Sequence, residues 1–145
     1  MKTKLPEVVF SKWVQWKNRD VLPDINCPGV YMLAKFRTVP NGTADPLDKN
    51  IIYFGETGRS LKTRWRQFDR AAFQQKLGYS YSGNHSGGKS YKKKYGDSGE
   101  DLYVSAFPVK DISEKLEPWF IRFQERKLLL DFVCKHGASN LLNKE

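Results

Sequence analysis

The sequence predicts an α+β domain. Two observations carry that expectation: segments of period-two apolar alternation are interspersed with segments of helical periodicity, and the chain is the right size for one core. Its 145 residues, 39% hydrophobic and 14% aromatic, suit a single domain over 1–145 and exclude wholesale disorder. The longest apolar runs, such as Leu128-Leu129-Leu130, are far too short to cross a membrane. The polar start Met1-Lys2-Thr3-Lys4 lacks the apolar stretch of a signal peptide. Cys27 and Cys134 lie far apart and belong to no metal-type cluster, so neither a zinc site nor a disulfide framework is expected. The expected setting is reducing and cytoplasmic.

The elements follow in order. An N-terminal extension, 1–28, contains an expected helix over 7–17, where Val8, Val9, Lys12, Trp13 and Trp16 fall near helical spacing behind Pro6. Residues 29–37 alternate as a strand, with Val30, Met32, Ala34 and Phe36 on one face and Tyr31, Leu33, Lys35 and Arg37 on the other. After a polar loop through Pro40-Asn41-Gly42 and Pro46, residues 51–55 form a second strand, and the two suggest a hairpin. Ser60 caps a helix beginning at Leu61, whose apolar positions are Leu61, Trp65, Phe68 and Ala72. Residues 78–99, rich in Gly, Ser, Tyr and Lys, read as an excursion loop, and 102–109 alternate as a third strand. A long helix over 118–136 is closed by Gly137. It is apolar around most of its circumference, so burial is expected.

Charge points to a ligand. The chain carries 25 basic and 16 acidic residues, a net charge of +9, and the whole excess lies between Arg59 and Lys94. A neutral body with one basic segment is the footprint of a phosphate-backbone binder, so DNA is the expected partner. Its contacts would be Arg59, Lys62, Arg66, Arg70, Lys89, Lys92, Lys93 and Lys94, with interleaved Tyr79, Tyr81, Tyr91 and Tyr95 available to stack bases.

Two residues depart from this surface pattern. Lys62, Arg66 and Arg70 form a stripe opposite the apolar face of their helix, but Arg64 falls on the flank of that face. A guanidinium held there needs an anion, either a carboxylate or a phosphate. Glu125 shares a helix face with Ile121, Leu128, Leu129 and Phe132. A carboxylate in such company is half of a buried salt bridge or a metal ligand.

Residues 83–90, GNHSGGKS, formally satisfy the P-loop pattern GxxxxGK[ST]. That chemistry needs a buried strand before the glycines and a helix after them, whereas the residues before this segment are helical in pattern. An ATPase or GTPase reading is therefore rejected.

A discontinuous pattern is more specific. Gly29-Val30-Tyr31, Tyr53-Phe54-Gly55, Leu61 with Arg64, Glu125 on a late helix and Asn143 near the end occur in an order that resembles a GIY-YIG nuclease domain over about 29–144. The resemblance implies a small three-stranded antiparallel sheet flanked by helices, and hydrolysis of DNA phosphodiester bonds with Mg²⁺ or Mn²⁺. It also implies that Tyr31 positions or deprotonates the attacking water, Tyr53 assists, Arg64 holds the scissile phosphate, Glu125 ligates the metal and Asn143 supports the site. Many members of that family have a histidine or tyrosine one turn after the arginine. This chain has Phe68 there, and His85 is the candidate replacement. The alternative function is a nucleic-acid-binding module that keeps the fold without catalysis.

Overall fold

The structure, a computed structural model, describes residues 4–73, 85–96 and 98–143. One antiparallel sheet organises the molecule. Its strands are β1 (Val14–Gln15), β2 (Gly29–Lys35), β3 (Ile51–Thr57) and β4 (Leu102–Pro108), in the order β1-β4-β2-β3. The expected hairpin of β2 and β3 is present, with Tyr31 directly opposite Gly55 and a bulge after Leu33.

The sheet has four strands where three were expected, and the fourth comes from the segment expected to be helical. Residues 7–15 are not helical, and a 3₁₀-helix (Trp16–Val21) follows β1. The free side of β4 is the reason. The Ser11 amide donates to the Ala106 carbonyl at 2.9 Å, the Ala106 amide donates to Ser11 Oγ at 3.0 Å, and Val14 pairs with Val104. Backbone pairing with a long strand outweighs a weak local helical preference.

β3 and β4 pair with both edges of β2, and helices cover both of its faces. Tyr31, Leu33 and Tyr53 share one core cluster with Leu61, Trp65 and Phe68 of α1 (Leu61–Phe73) and Tyr91 of α2 (Ser86–Tyr95). Val30, Met32, Ala34 and Phe54 share the other with Phe120, Ile121, Leu128 and Phe132 of α3 (Glu117–His136). The alternation read from 29–37 is thus realised as two buried faces. Ser60 caps α1 as expected, its Oγ accepting from the Thr63 amide at 3.0 Å, and Gly137 ends α3 at φ 76°.

Two further expectations need correction. Within the expected loop 78–99, residues 86–95 are helical; residues 78–84 and 97 lie outside the described residues. Glycine suggested a loop, but Gly88 serves close packing: a Cβ there would fall 2.7 Å from Ala71 Cβ and 2.9 Å from the Phe68 carbonyl oxygen. The long helix α3 is not largely buried. It buries Phe120, Ile121, Leu128 and Phe132, while Trp119 is 74% exposed, Phe123 61% and Leu130 63%. A sheet covers only one side of a helical cylinder, and no other described element covers the opposite side.

The C-terminal segment runs along the outer edge of β3, where the Leu142 amide donates to the Ile52 carbonyl at 2.7 Å. This covers an edge that would otherwise be open to strand addition. No helix of the described residues is long and apolar enough to cross a membrane.

Candidate active site

Strand register puts Tyr31 and Tyr53 on the same face of the sheet, beneath α1 and α2, with ring centroids 6.1 Å apart. Tyr31 is fully buried, and its ring lies across the backbone of Gly55. A Cβ at position 55 would come within 2.5 Å of the Tyr31 hydroxyl oxygen, so the glycine is what lets the ring lie there. Gly87 does the same for Tyr53, whose ring atoms would be 2.7 Å from an added Cβ. Burial raises the hydroxyl pKa of both tyrosines, since a phenolate loses hydration in this setting; the nearby Arg64 opposes the rise in each.

His85 stands immediately before α2 and is completely buried. Its Nδ1 accepts the Gly88 amide at 3.2 Å, and its Nε2 lies 2.9 Å from the Tyr31 hydroxyl. The ring also meets Phe68 edge to face, centroids 5.2 Å apart. His85 therefore sits directly beside Phe68. Burial and Arg64 push its pKa down to about 3, so the imidazole is neutral over the physiological range.

Arg64 is half-buried on α1, and its Nη1 donates to Gln67 Oε1 at 3.0 Å. Of the two anions its position called for, a carboxylate is absent: among the described residues none lies at ion-pair distance. A buried Arg64–Glu125 salt bridge is not formed.

Glu125 approaches from α3, on the opposite face of the sheet, past the β3 edge. It lines a cleft of about 180 Å³ with Tyr53, Ser86, Arg126, Leu129, Leu142 and Asn143. Its carboxylate pKa is raised by burial and by the carboxylate of Glu56, against a weaker lowering by Arg126, whose Nε is 3.8 Å away. Asn143 closes the cleft by clamping the β3 edge. Its Oδ1 accepts the Phe54 amide at 3.0 Å, and its Nδ2 donates to the Phe54 carbonyl at 2.8 Å. Both ends of the Asn143 amide are thus occupied by the Phe54 backbone.

Tyr31, Tyr53, Arg64, His85, Glu125 and Asn143 thus converge around one edge of β3, although they span 113 positions of sequence from Tyr31 to Asn143 counted inclusively. The basic residues lie on the α1 and α2 layer. Arg59, Lys62, Arg66, Arg70, Lys89, Lys93 and Lys94 are exposed and Lys92 is half-buried. Of the tyrosines expected to stack bases, the two described pack within the protein. Tyr91 is fully buried and bonded to Lys35 Nζ at 2.8 Å, Tyr95 is half-buried under the same lysine, and Tyr79 and Tyr81 lie outside the described residues. Within GNHSGGKS, the described residues 85–90 form the start of α2, with His85, Gly87 and Gly88 serving its capping and packing.

Sequence reasoning passed over Glu56, Gly87 and the structural use of Gly55. The first had a signal, one position beyond Tyr53-Phe54-Gly55 on alternating β3; the glycine contacts had none. No family model, curated protein or solved structure matches the chain.

Proposed function

We propose that the protein is a metal-dependent DNA endonuclease of the GIY-YIG type. One observation carries this reading: Tyr53 and an under-compensated Glu125 line a single cleft, with Tyr31 buried behind Tyr53 and Arg64, which has no carboxylate partner among the described residues, close enough to act on both tyrosines, beside a layer of exposed lysines and arginines.

The chemistry is in-line displacement at phosphorus. Arg64, whose hydrogen-bond partner Gln67 is neutral, keeps its charge available to hold the scissile phosphate and offset the charge that develops on it. Tyr31 orients the attacking water through its hydroxyl; its raised pKa favours orientation over proton abstraction in the resting protein. Tyr53 assists from the adjacent strand, and Asn143 holds the β3 edge on which Tyr53 sits.

The residues fit a divalent ion. Glu125 is half-buried, Glu56 raises its pKa, and its ion-pair partner among the described residues is only Arg126. No three acidic, histidine or cysteine side chains gather into a cage among the described residues. Mg²⁺ does not require one, since it is commonly bound by one or two carboxylates together with waters and substrate phosphates. When bound at Glu125, Mg²⁺ or Mn²⁺ supplies charge neutralisation at the phosphate and an acidified water.

The test is incubation of the purified protein with duplex, branched and single-stranded DNA, with and without Mg²⁺. Glu125→Gln should abolish cleavage and leave DNA binding largely intact. Unchanged cleavage by that variant overturns the metal assignment. Binding without cleavage by the wild type under every condition favours a non-catalytic binding module, the reading to which Phe68 lends weight.

A further inference from the structure

His85 is held at both ring nitrogens, and the two contacts together determine where its proton is. The Gly88 amide is an obligate donor and points at Nδ1, at 3.2 Å. Nδ1 must therefore present its lone pair. A neutral imidazole has one N–H, so the proton resides on Nε2, 2.9 Å from the Tyr31 hydroxyl oxygen. The other neutral tautomer would set the ring N–H against the amide N–H, and the imidazolium would do the same while adding a buried charge near Arg64. Nε2–H accordingly donates, and the Tyr31 oxygen accepts. Having received that bond, the tyrosine cannot direct its own proton to His85.

We propose that His85 is a positioning residue for Tyr31, its imidazole locked as the Nε2–H tautomer by the Gly88 amide, so that it donates to the Tyr31 oxygen and leaves the tyrosine proton for the side of Tyr53, which lines the cleft. This rests on the nuclease reading of Tyr31, but it assigns His85 a role different from proton transfer. His85 neither accepts a proton from the attacking water nor returns one to the leaving group. Its N–H fixes the Tyr31 hydroxyl and would stabilise negative charge developing on that oxygen.

The same ring joins binding to chemistry. His85 caps α2, and α2 carries Lys89, Lys92, Lys93 and Lys94. One imidazole therefore ties the start of the basic helix to the buried tyrosine, 54 residues earlier in the chain. Gly87 and Gly88 allow it: with a Cβ at 87 only 3.0 Å from His85 Cε1, and one at 88 against Ala71, neither α2 nor the ring could seat as they do.

Two measurements test the proposal, and they fail separately from the nuclease reading. The first is long-range ¹H–¹⁵N NMR of the intact protein, which reports the imidazole tautomer with no reference to activity. The chain has two histidines, so His136→Gln assigns the signals. A neutral Nε2–H ring from pH 5 to 8 is expected, because the groups facing His85 are Tyr31 from β2, Tyr53 from β3 and the cationic Arg64 from α1. A proton on Nδ1, or titration of the ring within that range, overturns the proposal.

The second is a pair of substitutions assayed for cleavage. His85→Asn keeps an N-cap acceptor for the Gly88 amide but cannot reach Tyr31. It should retain helix content and KM while kcat falls on the order of 10- to 100-fold, the usual cost of losing an orienting partner. His85→Gln, whose amide N–H reaches further, should recover part of that loss. An unchanged kcat in His85→Asn, or a loss explained by unfolding of α2, overturns the positioning role. If the wild type cleaves no DNA, the nuclease reading falls and NMR alone decides the hydrogen bond.

Discussion

The two walls of the site, one behind Tyr53 and one on α3, treat their polar groups in opposite ways. On the wall beneath α1 and α2, buried Tyr31 of β2, His85 and Arg64 each have a hydrogen-bond partner inside the protein. On the α3 wall, Glu125 lies near Glu56, and its own ion-pair partner is Arg126 at 3.8 Å. A satisfied polar network holds side chains in one arrangement, whereas neighbouring carboxylates cost stability until a cation balances them. Under the proposed function the contrast is a division of labour: one wall is organised in advance to orient, and the other is left to be completed by a cation.

The largest expected effect tests what Arg64 is for. If it acts on charge developing at phosphorus, Arg64→Ala should reduce kcat by roughly 10² to 10³, about 3 to 4 kcal/mol, while affecting DNA affinity far less. Steady-state kinetics and a binding titration check the split. Arg66→Ala, on the exposed stripe, should show the reverse and more weakly. Loss of several kcal/mol of thermal stability with retained specific activity would make Arg64 a structural group and erase the contrast.

Acid should reveal the organised wall next. His85 has a folded pKa of about 3 against an ordinary 6.5, so the unfolded chain binds the extra proton first. Its contribution to stability is complete above pH 6.5 and is lost as pH falls through the window down to about 3. At about 1.4 kcal/mol per pH unit the loss approaches roughly 5 kcal/mol. Urea titrations over this range should show a steep pH dependence of stability in the wild type and a flatter one in His85→Asn.

Gly55→Ala attacks the same wall through shape. The new methyl would overlap a fully buried ring, and overpacking of this kind costs about 1 to 3 kcal/mol. Denaturation midpoints measure the cost. Cleavage should fall further than stability does, because Tyr31 must leave its place opposite His85. A variant as active as the wild type would show that the ring position is unimportant.

The smallest effect per residue concerns the basic layer. Replacing Lys92, Lys93 and Lys94 together should reduce the slope of log K against log salt by up to about three units, one for each phosphate that is no longer neutralised. An unaltered slope would mean that this part of α2 faces away from DNA and that only the α1 stripe contributes.

Much of this was legible in the chain before folding. The strands β2, β3 and β4, the helices α1 and α3, the Ser60 and Gly137 caps, and the separation of Arg64 from its neighbouring basic stripe all follow from periodicity within short windows. Arg64 and Glu125 announced themselves because a charged residue on an apolar stripe breaks a pattern that the stripe itself defines. Tyr31 and Tyr53 did not, since aromatic residues belong in a buried strand whether or not they react.

Pairing between distant segments decided the rest. Most of the stretch expected to form a helix over 7–17 instead pairs with β4, because β4, some ninety residues later, offered it backbone partners. Residues 86–95 became a helix because His85 and two glycines found partners on Tyr31, Tyr53 and α1. In α3, local apolarity could set helical form but not which side the sheet would cover, and so Trp119 and Phe123 are exposed. Periodicity records what each residue prefers against its near neighbours; a fully buried histidine bonded to a tyrosine 54 positions away is a property of the packed sheet and helices alone.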